Sequence, residues 1–288
     1  MSITSSSVLT EMNISVWTAN KIDTGATNDV TNNASAVKGA AQVRKSLMAG
    51  THQRKEIADY AAACRVWHGA RTLPWADRGP RLLPTSLFLD YKQEANIRRD
   101  TFSTMVDTFI QVYPALVQTA HNYLGSLFSA DDYPNADTVR SKFGFRLVFS
   151  PVPESGDFRL DLPARELDEV KRGYEDSFKD RLAEAMKEPW SRLHKVLVNI
   201  SERMTDTDTD NGEGEKKRYH DTLITNAQSL CAMLTHLNVT HDPKLEDARR
   251  QLEQTMTGTD IDAIKESATE RAYIKRKVDA ILKQFDQW

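Results

Sequence analysis

The sequence predicts an α+β protein that is predominantly α-helical, with long helices packed around one small antiparallel β-sheet of about three strands. Two observations carry this. Apolar residues recur at three- and four-residue steps over most of the 288 residues, which is the period of an amphipathic helix. Alternation with a period of two is confined to short runs near 12–17, 144–149 and 157–162.

Taken in order, residues 1–10 are rich in Ser and Thr and read as a flexible N-terminus. At 12–17 Met12, Ile14 and Val16 alternate with Asn13 and Ser15, so a strand is expected. Residues 23–35 are turn formers and read as a loop, and a helix is expected over 36–48, ended by Gly50. Residues 51–69 predict a helix whose buried face holds Ile57, Tyr60, Ala61, Cys64 and Trp67 or His68. A longer helix is expected over 87–128, opened by Ser86 and kinked or split by Pro114. A turn at 129–135 leads to a short helix at 136–143. The runs at 144–149 and 157–162 then read as a hairpin.

From Pro163 the positions Leu167, Val170, Tyr174, Phe178, Leu182, Ala185, Leu193, Val196, Ile200 and Met204 form a heptad-like seam, interrupted by Pro189. The seam suits packing within the chain or pairing between chains. Residues 205–216 are acidic and carry no apolar side chain, as a linker would. The expected organisation is therefore a body at 11–204, the linker, and a helical region at 217–288 with helices over 219–237, 243–256 and 260–285.

The totals narrow the function classes. A net charge of -3 gives no global attraction to nucleic acid, so any such site has to be a local patch. The two cysteines lie far apart in helical patterns, which fits a reducing cytoplasm and argues against a disulfide framework. Residues 1–10 hold no basic residue and no long apolar run, unlike a secretory signal, and no run of 18 apolar residues suggests a membrane span.

The least ordinary stretch is 72–84 (TLPWADRGPRLLP), with three prolines. Pro74, Pro80 and Pro84 lack amide hydrogens and push the residues before them toward extended backbone, so a rigid, partly buried loop is expected. Around it, arginines and a lysine interleave with Trp67, Trp75, Phe88 and Tyr91. The candidate nucleic-acid contacts are Arg71, Trp75, Arg78, Arg81, Lys92, Arg98 and Arg99, because cations neutralise phosphates and exposed rings stack on unpaired bases. The same rings also suit core anchors that pin the loop.

Three pieces resemble a family of uncharacterised proteins of tailed bacteriophages and prophages: 14–23 (ISVWTANKID), 72–84, and the run Tyr113-Pro-Ala-Leu, Leu124-Gly-Ser-Leu, Asp132-Tyr-Pro, Pro151-Val-Pro and Asp157-Phe-Arg. The likeness covers roughly 10–200. It implies a phage protein made in the bacterial cytoplasm, with a role in phage DNA metabolism or in managing the host, and it transfers no activity to any residue.

No phosphate loop, dinucleotide fingerprint, HExxH, paired CxxC or GxSxG is present. Cys64 and His68 share a helical face, but two ligands do not make a zinc site. Asp206, Asp208 and Asp210 start like a calcium loop that fails at Asn211 and Lys217. Asp131 and Asp132 fit turn chemistry. No catalytic residue, metal or cofactor is expected. Two functions remain. The first is a phage accessory protein that binds single-stranded nucleic acid in recombination or replication. The second is a non-enzymatic interaction module: a homo-oligomer, an adaptor, or an inhibitor of a host or phage enzyme.

Overall fold

The computed structural model describes residues 3–77, 79–153, 163–205 and 222–285. It is α+β and mostly helical, as the periodicity predicts. Its elements are α1 (Ile3–Ser6), β1 (Ser7–Ser15), β2 (Asn20–Ile22), α2 (Thr24–Asn33), β3 (Arg44–Ser46), α3 (Gln53–Arg71), β4 (Leu73–Pro74), β5 (Arg81–Pro84), α4 (Phe88–Leu124), α5 (Ala136–Arg140), β6 (Gly144–Pro151), α6 (Ala164–Arg203), α7 (Thr222–Leu237), α8 (Pro243–Met256), α9 (Ile261–Glu266) and α10 (Ala268–Leu282). One antiparallel sheet has the order β4-β5-β1-β6, and a second pairs β2 with β3. The expected strand at 157–162, most of the linker at 205–216, and Arg78 lie outside the described residues.

The chain divides into two compact units built from discontinuous segments. One comprises Met1–Thr10, Ala70–Leu89 and Phe149–Trp288; the other comprises Glu11–Gly69 and Asp90–Val148.

In the first unit, the Ser/Thr-rich start forms α1 from Ile3 to Ser6 and opens β1 at Ser7. Ser7 and Thr10 are buried, and Ser7–Thr10 pair antiparallel with Pro84–Arg81. The strand therefore begins earlier than 12–17, because its partner lies some 75 residues away and leaves no local signature. The proline-rich stretch is also not all loop. Leu73 and Pro74 pair with Leu82 and Arg81, so β5 sits inside the sheet order. Pro74 and Pro84 occupy strand ends, where a missing N–H is tolerated, while Leu82 and Leu83 fill the buried middle. Arg192 of α6 ties this hairpin down, with Nη1 donating to the Ala70 carbonyl (2.7 Å) and Nη2 to the Thr72 carbonyl (3.1 Å).

The rest of this unit is a helical bundle. α6 runs unbroken for 40 residues through Pro189. In the second half of its seam Leu193, Ile200 and Met204 are buried and Val196 partly so, and with buried Leu197, which was not in the expected seam, they pack with Leu223, Ala227 and Leu234 of α7, Leu245 and Leu252 of α8, and Ile274, Val278 and Ile281 of α10. That half is thus satisfied within the chain. Asp242 caps α8 ahead of Pro243. The expected single last helix is two, because the Ser267 hydroxyl accepts from the Glu270 N–H (3.2 Å) and starts α10. Buried Arg249 binds Glu246 (2.8 Å) and Glu253 (2.8 Å). Its guanidinium hydrogen bonds hold the Glu246 carboxyl down to about 2.

In the second unit, α3 and α4 supply the core. Ile57 and Ala61 of α3 meet Phe102, Val106, Phe109, Tyr113 and Leu116 of α4, with Trp17, Leu47, Val139 and Phe143 closing the cluster. α4 is not split at Pro114. The stretch read as a loop at 23–35 forms α2, because the Asp23 carboxylate accepts from the Ala26 N–H (2.9 Å) and caps it. The helix expected over 36–48 is replaced by turns and β3, whose register with β2 pairs Lys21 with Lys45. Lys45 bonds both Asp132 (2.7 Å) and Asp23 (3.0 Å). The hydrogen bond to Asp132 is the main cause that raises the Lys45 pKa. Gly50 has φ +74, and a Cβ there would collide with the Tyr123 ring, so both backbone and space require glycine.

Candidate interaction surface

Of the seven residues expected to contact nucleic acid, Arg78 lies outside the described ones and the other six fall into both units. In the first, Trp75 is only 5% exposed, and its ring meets Phe178 edge-on at 5.2 Å. Arg81 turns inward along its own hairpin, with Nε donating to Thr72 Oγ1 (2.7 Å). Arg71 is half-buried at the end of α3. In the second, Trp67 stacks on Tyr91 with centroids 4.8 Å apart, and the Arg98 guanidinium lies 4.7 Å over the Trp67 ring. Arg98 also pairs with Glu94 (2.7 Å) and Arg99 with Asp100 (3.2 Å). Lys92 is exposed. Trp67, Trp75 and Tyr91 are therefore buried rings, Phe88 is half-buried, and Arg98 and Arg99 already have carboxylate neighbours.

Cys64 and His68 are buried in the same place. His68 Nδ1 lies 2.7 Å from the Tyr91 hydroxyl, and burial pushes the Cys64 thiol up. Among the described residues no group of three or more His, Cys, Asp or Glu is arranged to hold a metal.

A different surface stands out on α4. Six of the helix's seven charged residues precede Thr101. From there to Tyr123 the only one is Asp107, which pairs with Arg140 of α5 (3.0 Å). The inward face of this stretch is core, and the outward face carries Thr101, Thr104, Thr108, Gln111, Val112, Ala115 and Gln118. The threonines do not offer their hydroxyls to solvent. Thr101 donates to the Ile97 carbonyl (2.9 Å), Thr104 to Asp100 (3.0 Å), Thr108 to Thr104 (2.9 Å) and Thr119 to Ala115 (3.2 Å). With its proton bonded back to the helix, each of these hydroxyls has no proton left to donate to a partner. Ile97 (53% exposed), Val112 (38%) and Tyr123 (70%) extend the row.

A solvent-facing helix surface ordinarily carries Lys, Glu and Arg. This one presents threonines, amides and apolar side chains over roughly 33 Å of helix, at 1.5 Å per residue. Its signal in the sequence is the absence of charge between residues 101 and 123, which no motif or charged cluster marks.

No protein-family model, no curated protein and no solved structure matches this chain. No helix among the described residues is long and apolar enough to cross a membrane.

Proposed function

We propose that the protein acts by binding another protein, and that the outward face of α4 is its docking surface. One observation carries this: 23 consecutive residues of a long, exposed helix hold a single charge, and that charge is neutralised by a neighbour. Charged groups are depleted at the cores of protein interfaces, because each one buried there has to be desolvated. Uncharged side chains lose little on contact with a partner. The occupant is a partner helix or a second copy of the chain, for which an uncharged face brings no like charges together across a two-fold axis. The phage resemblance supplies a setting for such a protein, a bacterial cytoplasm during infection, and belongs to the same proposal.

The double substitution Thr104→Glu and Val112→Lys tests this reading. Both sites are exposed, so the melting temperature should move by no more than a few degrees. Wild-type protein purified from the cells that make it should retain a stoichiometric partner or self-associate in light scattering, and the variant should do neither. A variant that keeps the wild-type associations would remove α4 from the account.

A further inference from the structure

In the second unit, an open groove of about 590 Å³ runs along β1 and β6. Asn13, Ile14 and Ser15 line it from β1, Phe145 and Arg146 from β6, and Arg65 from α3. Its volume is in the ordinary range for small-ligand sites, roughly 300–1,000 Å³. We propose that this groove binds a nucleoside phosphate, either free or as one nucleotide of a single strand, with Arg65 and Arg146 on the phosphate.

The charge arrangement points there. This unit's other arginines are engaged: Arg98, Arg99 and Arg140 pair with carboxylates, Arg44 bonds Gln42, and Arg54 bonds the Trp17 carbonyl. Arg146 has no hydrogen-bond or ion-pair partner among the described residues, and Arg65 has one, the Ile14 carbonyl (2.7 Å). That bond uses one N–H of a five-donor fork and fixes the guanidinium at the rim of the groove. Among the described residues no Asp or Glu lines the groove itself; the Glu11 carboxylate lies beside it, accepting from Asn13 Nδ2 (3.5 Å). Planar guanidinium forks suit phosphate oxygens, and charge-assisted bonds are the stronger kind.

The floor supplies the other half of the recognition. Ile14 and the half-buried Phe145 give an apolar bed, and Phe145 is steadied by Phe102 at 5.9 Å. The exposed Asn13 amide, which donates to Glu11 (3.5 Å), and the exposed Ser15 hydroxyl also line the groove and are groups that hydrogen-bond a sugar or a base edge. At Gly144 a Cβ would come within 2.9 Å of Ser15 Oγ, so glycine keeps this end of the floor clear.

The test uses the full chain, with binding of AMP, inorganic phosphate and a fluorescent ten-residue oligo(dT) measured at low and moderate salt. AMP or the oligonucleotide should bind more tightly than inorganic phosphate. Arg146→Gln should weaken that binding about tenfold, a typical loss for one charge-assisted contact. Because Arg146 is exposed and has no hydrogen-bond or ion-pair partner among the described residues, its substitution should leave the fold intact; Arg65→Gln, which retains a donor for Ile14, should act in the same direction. A preference for AMP assigns a free nucleotide, and a preference for the oligonucleotide, with steep salt dependence, assigns a strand. Binding of inorganic phosphate as tight as AMP, no binding of any probe, or unchanged affinity in Arg146→Gln would overturn the assignment.

Discussion

α4 and α6 are the two long helices of this protein, and each carries a proline inside it. Each buries one face in its own unit, through Phe102, Phe109 and Tyr113 in α4 and through Leu193, Leu197 and Ile200 in α6. Their outward faces are unlike. α6 has eighteen charged residues in forty, several joined in i,i+3 or i,i+4 pairs such as Lys187 with Glu184 and Arg192 with Glu188. α4 beyond Thr101 has one. Burial explains the inward faces of both and distinguishes neither. The outward face separates a helix laced with charge from one that is nearly free of it, and the proposed docking surface rests on that difference.

The sharpest check of the common half of this comparison is core truncation. Phe109→Ala in α4 and Leu197→Ala in α6 should each cost about 3–5 kcal/mol, through lost burial and the cavity left behind. Urea midpoints measure this, and a cost below about 1 kcal/mol at either site would mean that the face is not core. Next comes an acid-sensitive contact confined to the unit of α6. The native Glu246 carboxyl titrates at about 2, below its ordinary value, because Arg249 favours the charged form. Its stabilisation is therefore complete above the unfolded pKa near 4.5 and is lost as pH falls toward 2. With about a quarter of the side chain exposed, that amounts to about 1–3 kcal/mol. Glu246→Gln should be less stable than wild type at pH 6 and should show a flatter loss of stability toward acid in the same urea measurement.

The two prolines give a smaller and asymmetric effect. Pro114 is exposed and Pro189 is buried. Pro114→Ala should raise stability by about 1 kcal/mol, by restoring a helix hydrogen bond with no packing to lose. Pro189→Ala should gain less or lose, because a buried ring is removed. Thermal melts of the two variants compare them directly. Smallest in stability are surface charges: Lys179→Glu on α6 and Thr104→Glu on α4 should each stay within about 0.5 kcal/mol of wild type. Only the α4 change should alter association measured by light scattering or co-purification.

The helices were legible in the sequence because their inward residues repeat over many turns: Ile57, Ala61 and Cys64 in α3, and Phe102, Val106, Phe109 and Tyr113 in α4, are all buried where the period puts them. The strands were less so. β2, β3, β4 and β5 are two to four residues long, too short for any period to show, and form through distant pairings such as Ser7 with Pro84. α2 hid behind Asp23, Thr27 and Asn residues that serve equally as turn formers and as caps. The fate of Trp75 depended on Phe178, about a hundred residues on, so composition alone left it equally suited to a base or to the core. The face of α4 lay open in the sequence, written as missing charge rather than as a motif.

The most direct test is a photo-cross-linking residue placed at Thr108 on α4 and, separately, at Lys179 on α6, both exposed, in cells that make the protein. A discrete cross-linked species, with a second copy or a partner protein, is expected from Thr108 and none from Lys179. No species from Thr108, or equal yields from both positions, would contradict it.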